Sequence, residues 1–72
     1  LILSPNPVST ELQLSGMPLD DATITIFNAT GNLMSSRVLN DNTLDVSGLL
    51  PGLYLLRIKK DGLLLVKRFI KE

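Results

Sequence analysis

The chain has 72 residues, 44% of them hydrophobic and only 4% aromatic, with seven Lys and Arg balanced by seven Asp and Glu and no Cys. That is room for one domain with an aliphatic core and no disulfide to staple it. Zero net charge lacks the basic surplus that phosphate neutralisation needs, so nucleic acid is not an expected partner. No apolar run nears the roughly 20 residues of a bilayer-spanning helix, so no membrane-spanning segment is expected either.

Helical periodicity is nearly absent, and short alternating runs separated by turn residues follow one another along the chain. Leu1 to Leu3 predicts a short strand, stopped by Pro5-Asn6-Pro7. Glu11 to Ser15 alternates, with Leu12 and Leu14 on one face, and Gly16 to Asp21 is a loop. Ala22 to Asn28 is the clearest β segment, with Ile24 and Ile26 on one face and Thr23, Thr25 and Phe27 on the other. Asn28-Ala29-Thr30-Gly31 has the residue preferences of a type I turn and leads into a hairpin partner, Leu33 to Leu39. Asn40-Asp41-Asn42 is a polar turn before Thr43 to Val46, and Ser47 to Pro51 is a connection. Gly52 to Lys60 is the longest strand, with Tyr54, Leu56 and Ile58 opposite Leu53, Leu55, Arg57 and Lys59. Asp61-Gly62 closes a hairpin into Leu63 to Lys71. The pattern predicts an all-β domain over residues 1–72, a small antiparallel Ig-like β-sandwich of about seven short strands.

Two registers of the last hairpin remain open at this level. A two-residue loop at Asp61-Gly62 pairs Tyr54 with Phe69 and Ile58 with Leu65. A three-residue loop from Lys60 to Gly62 places Leu64, Val66 and Ile70 on the core face instead, because a slip of one residue turns every side chain over.

The chain is poor in groups that do chemistry near neutral pH. It has neither His nor Cys, which removes the commonest general base, nucleophile pair and transition-metal ligands. No Ser stands in a recognisable nucleophile turn. Asp20, Asp21, Asp41 and Asp45 read as turn carboxylates bonding their own backbone rather than as a cation loop. Asn28-Ala29-Thr30 matches a glycosylation acceptor, but Asn28 explains itself as the turn opener. The five glycines lie at strand ends and cradle no phosphate. No enzyme activity, metal or cofactor is expected.

Two features exceed structural need. Arg57, Lys59, Lys60, Lys67, Arg68 and Lys71 all fall in the final hairpin, whereas most carboxylates lie earlier. They read either as Lys guarding edge strands or as an electrostatic docking face. That hairpin is also apolar on both faces, so part of its apolar surface is expected to be uncovered, or to be covered by a neighbour.

Four stretches in order carry a resemblance: Leu3-Ser4-Pro5-Asn6-Pro7, Ile24-Thr25-Ile26-Phe27-Asn28-Ala29-Thr30-Gly31, Leu49-Leu50-Pro51-Gly52-Leu53-Tyr54 and Lys67-Arg68-Phe69-Ile70-Lys71. The chain resembles the C-terminal sorting domain of the type IX (Por) secretion system of Bacteroidetes-type bacteria. The resemblance implies a signal module that ends a larger exported protein, carried in cis with its cargo. It implies transit through the periplasm, recognition by an outer-membrane translocon, removal by a sortase-like peptidase, and release or display at the cell surface. Family motif positions fall on Pro5, Asn6, Pro7, Gly31, Gly52, Tyr54, Lys67, Arg68, Phe69 and Lys71. Asn28 stands where the family often has Asp, and Arg68 where Lys is also common. The cleavage site is expected at or before Leu1, and loss of Phe69 to Glu72 is expected to abolish export while leaving the sandwich largely folded. An Ig-like or fibronectin-like structural or adhesion module is the alternative. A carbohydrate-binding module is weaker, because Phe27, Tyr54 and Phe69 are its only aromatic rings.

Overall fold

Each predicted run is a strand in the structure, a computed structural model that describes residues 1–72, with bounds that shift by a residue at some ends. The strands are β1 (Ile2–Ser4), β2 (Glu11–Ser15), β3 (Thr23–Asn28), β4 (Leu33–Val38), β5 (Thr43–Asp45), β6 (Gly52–Lys60) and β7 (Leu63–Lys71). They form two antiparallel sheets, one ordered β1-β2-β5 and one ordered β4-β3-β6-β7.

The two inner faces meet in one mainly aliphatic core, with Tyr54 and Phe69 as its aromatic members. Leu12, Leu14 and Leu44 project from the smaller sheet, and Ile24, Ile26, Leu56 and Ile58 from the larger, all with almost no exposure. Burying each of these side chains contributes about 1.5–3 kcal/mol before conformational entropy is subtracted. Val8, Leu19, Ala22, Leu39 and Val46, which lie outside the strands, close the core's margins.

The sharpest local determinant is the hairpin between β6 and β7. Asp61 (φ 48°) and Gly62 (φ 82°) both take left-handed backbone, the geometry of a two-residue type I′ turn that matches strand twist. The first of the two registers is therefore the observed one: Tyr54 opposes Phe69, Leu56 opposes Lys67 and Ile58 opposes Leu65. Leu64, Val66 and Ile70 point away from the core.

One side chain ties together connections that cross between the sheets. The Asn42 amide donates to the carbonyls of Leu14 (2.9 Å) and Met17 (2.8 Å), and its Oδ1 accepts the Leu19 N–H (3.3 Å). Asn42 thereby holds the β2–β3 loop against the start of β5. Sequence reasoning assigned it only to a polar turn, because Asn40, Asp41 and Asn42 are alike as turn formers.

Candidate functional site

Four stretches far apart in sequence meet at one end of the larger sheet. Proline has no N–H to extend the β1 ladder, and β1 ends at Ser4, before Pro5. The exposed Pro5-Asn6-Pro7 segment, with both X–Pro bonds cis, then carries the chain to the free edge of β7 in the other sheet.

There the segment closes the edge strand. The Asn6 Oδ1 accepts the Ile70 N–H at 2.9 Å. The Val8 N–H donates to the Ile70 carbonyl at 2.8 Å, and the Glu72 N–H donates to the Val8 carbonyl at 2.9 Å. Val8 and Lys71 thus form an isolated parallel bridge, with Val8 fully buried. Ser9 Oγ donates to a Glu72 carboxylate oxygen at 3.3 Å. The last residues of β7 are paired on both sides, while the rest of its outer edge stays open. Sequence reasoning missed Val8, since one apolar residue between Pro7 and Ser9 has no periodicity to betray it.

β6 and β7 supply the aromatic part of the site. The Tyr54 and Phe69 rings stack with centroids 5.5 Å apart and planes 19° from parallel, and Phe69 has no exposed surface. The Tyr54 hydroxyl donates to the Leu50 carbonyl at 2.6 Å, four residues upstream in the connection before β6. The contact has the form of a tyrosine corner, a Tyr hydroxyl bonded to backbone a few residues upstream. Tyr54 therefore braces the β5–β6 connection. Gly52 opposes Lys71 with φ of 154°, a backbone that a side chain would strain although the space beside it is open.

Gly31 lies at the same end, because Asn28 opposes Tyr54. The Gly31 N–H donates to the Asn28 carbonyl at 3.0 Å, while Asn28 Oδ1 accepts from the Thr30 N–H, the Thr30 hydroxyl and the Asn32 N–H. Asn28 is the turn's own scaffold. The carboxyls of Asp41 and Asp45 are likewise turn caps, held below the ordinary carboxylate range first by backbone N–H donors from Thr43 and Ser47.

The six basic residues of the final hairpin do not share one face. Successive strand residues point to opposite sides. Lys67 opposes core-facing Leu56, so it stands on the inward side of an edge strand with its side chain exposed, a placement that discourages edge-to-edge pairing. Arg68 opposes Leu55 and points outward. Lys71 is only 8% exposed and donates from Nζ to the Glu72 carbonyl at 2.8 Å, and Lys60 donates to the Pro18 carbonyl at 3.2 Å. Only Arg57, Lys59 and Arg68 share the outer face.

The terminal motif also differs from a detachable tail. Phe69 and Lys71 are buried, so loss of Phe69 to Glu72 opens the core as well as removing the motif.

The clamp at Asn6 has a local test. Asn6→Ala removes the acceptor of an exposed hydrogen bond worth about 1 kcal/mol, so amide exchange at Ile70 should quicken by roughly five- to tenfold while core amides are unchanged. Equal protection at Ile70 in both proteins would show that Asn6 does not hold β7.

Among known protein families, residues 3–72 match the secretion system C-terminal sorting domain. No curated protein matches the chain.

Proposed function

The chain belongs to the type IX secretion system C-terminal sorting domains, and from that membership we propose that residues 1–72 form the terminal module of a larger protein, engaged by an outer-membrane translocon and then removed by a sortase-like peptidase. A domain of this family is a signal module rather than a catalytic one, and its parent is exported by the type IX route. The proposed itinerary is transit through the periplasm of a Bacteroidetes-type cell, then the cell surface or medium, with the cargo in cis.

The observation that carries this reading is the convergence of the motif positions. Pro5, Asn6, Pro7, Gly31, Gly52, Tyr54, Phe69 and Lys71 gather at one end of the larger sheet. Within that end two roles separate. Tyr54, Phe69 and Lys71 are buried and hold the terminal strand from inside, and Gly52 pairs with Lys71 at its end. Pro5, Asn6, Pro7 and Arg68 remain exposed to a receptor, with Lys67 one step along the same edge. An open groove of about 370 Å³, lined by Asn6, Leu53, Arg68, Phe69 and Ile70, runs beside the clamp.

The test is a periplasm-targeted reporter carrying residues 1–72 at its C-terminus, expressed in a cell with the type IX system. Surface or medium fluorescence, lost in a translocon-deficient strain, is the expected result. The tyrosine corner suits an Ig-like or fibronectin-like structural module equally well, and that alternative predicts a folded fusion retained in the periplasm. Retention would sink the sorting reading.

A further inference from the structure

One face of the molecule is built against the rule for an antiparallel sheet, in which the side turned from the core is polar. With Tyr54, Leu56 and Ile58 pointing inward, Leu53, Leu55, Arg57 and Lys59 point outward, and so do their partners on β7. Those partners include Ile70 opposite Leu53, Val66 opposite Arg57 and Leu64 opposite Lys59. Leu53, Leu64, Val66 and Ile70 are 45%, 59%, 58% and 48% exposed. Nothing in the fold covers them.

Charge on this face is of one sign. Arg57 lies 5.1 Å from the Phe27 ring centroid, Lys59 is in the next outward position and Arg68 sits across from Leu55. No carboxylate joins them. Glu11 and Asp45 belong to the other sheet, Asp20, Asp21 and Asp41 to loops, Asp61 to the hairpin tip, and Glu72 bonds beside Val8. A chain of zero net charge thus presents three cations among exposed aliphatic side chains on a single surface.

We infer that the outer face of the β4-β3-β6-β7 sheet docks on an acidic protein surface, with carboxylates meeting Arg57, Lys59 and Arg68 and apolar side chains meeting Val66, Leu64, Ile70 and Leu53. This deepens the export reading and rests on it. Three other occupants fit less well. A second copy set face to face about a two-fold axis would bring like charges together. A lipid surface would have to take the apolar side chains below the headgroups, and Arg57, held over the Phe27 ring and opposite Val66, would be carried down with them. Anything joined at the start of β1 meets an edge of the opposite sheet, not the outer face of β6 and β7.

The experiment places a photo-crosslinking benzoylphenylalanine at Val66 in the reporter fusion, with Gln13 on the outer face of the smaller sheet as the control position. The expected adduct forms from position 66 and not from 13, and the crosslinked partner peptide is flanked by Asp or Glu. Combined Arg57→Gln, Lys59→Gln and Arg68→Gln should cut adduct yield at least about tenfold with the thermal midpoint retained. Should that triple variant unfold, Lys59→Gln with Arg68→Gln alone, which spares the contact with Phe27, carries the same comparison. An adduct with a second copy, an adduct with lipid, no adduct, or an adduct indifferent to the substitutions in a folded variant each overturns the inference. Export of the unsubstituted fusion is scored separately. Its periplasmic retention defeats the sorting reading, and the adduct pattern still decides the face.

Discussion

Replacing Phe69 with Ala should bring the domain to the edge of unfolding. Phe69 is fully buried and stacks on Tyr54, the residue that braces the β5–β6 connection. Truncating a buried Phe costs about 3–5 kcal/mol, with about 0.5–1.5 kcal/mol of aromatic pairing lost as part of the effect. A domain of 72 residues has a total stability of roughly 4–11 kcal/mol, at about 0.05–0.15 kcal/mol per residue. The substitution therefore removes a large fraction of it. The midpoint of thermal unfolding, followed by circular dichroism, should fall by roughly 12–40 °C. Ile70→Ala provides the contrast, since Ile70 is 48% exposed on the outer face and its loss should cost little stability. A Phe69→Ala protein as stable as its parent would mean that the terminal strand is not part of the core. With the expected destabilisation, loss of export in the Phe69 variant reports folding, whereas loss in the Ile70 variant reports recognition.

Asn42→Ala is the second large effect, and it concerns a residue in none of the motif stretches. The change removes three hydrogen bonds at once and leaves the carbonyls of Leu14 and Met17 and the N–H of Leu19 without partners. Leu14 and Leu19 are fully buried. Each unsatisfied buried group costs about 1–3 kcal/mol, and Asn42 is itself half-buried so water recovers part of the loss. A destabilisation of about 2–4 kcal/mol is expected, read from the urea midpoint at unchanged slope. Asn42→Asp sharpens the comparison. It keeps the acceptor for Leu19 but turns a carboxylate toward two carbonyls, so it should be at least as damaging as Ala near neutral pH. A midpoint within about 0.5 kcal/mol of the parent for both variants would show that the crossing loops do not need this tie.

How far the fold was legible follows from the range of each determinant. The strand β2 could be read because Leu12 and Leu14 alternate with polar neighbours, and period two is a property of five consecutive residues. The β3–β4 turn could be read because Asn and Gly have their own backbone preferences. The last hairpin was half legible. Asp61-Gly62 marked the turn, but both loop lengths fitted it, and only the φ angles of Asp61 and Gly62 chose between them. The sorting family was legible from the order of four short stretches, none of which would have sufficed alone.

The site itself was legible as residues and illegible as a place. Tyr54 and Phe69 are motif members by sequence, yet their burial depends on the register. Lys67 and Arg68 are neighbours in sequence and read as one basic spot, and the pleat sends them to opposite faces. Asn6 looked like part of a strand stop, and its acceptor role depends on Ile70, which is 64 positions away.

Local chemistry alone decided that this chain is all-β, that it has seven strands in this order, that its core is mainly aliphatic, and that it lacks His and Cys. These depend on side-chain periodicity and backbone preference within a few residues. Tertiary structure alone decided that the Pro5-Asn6-Pro7 segment clamps the terminal strand, that Asn42 joins two loops, and that three of the six hairpin cations share an apolar outer face. Each of those requires knowing which distant backbone lies alongside, and the pairing of strands, not the composition of any one of them, supplies that.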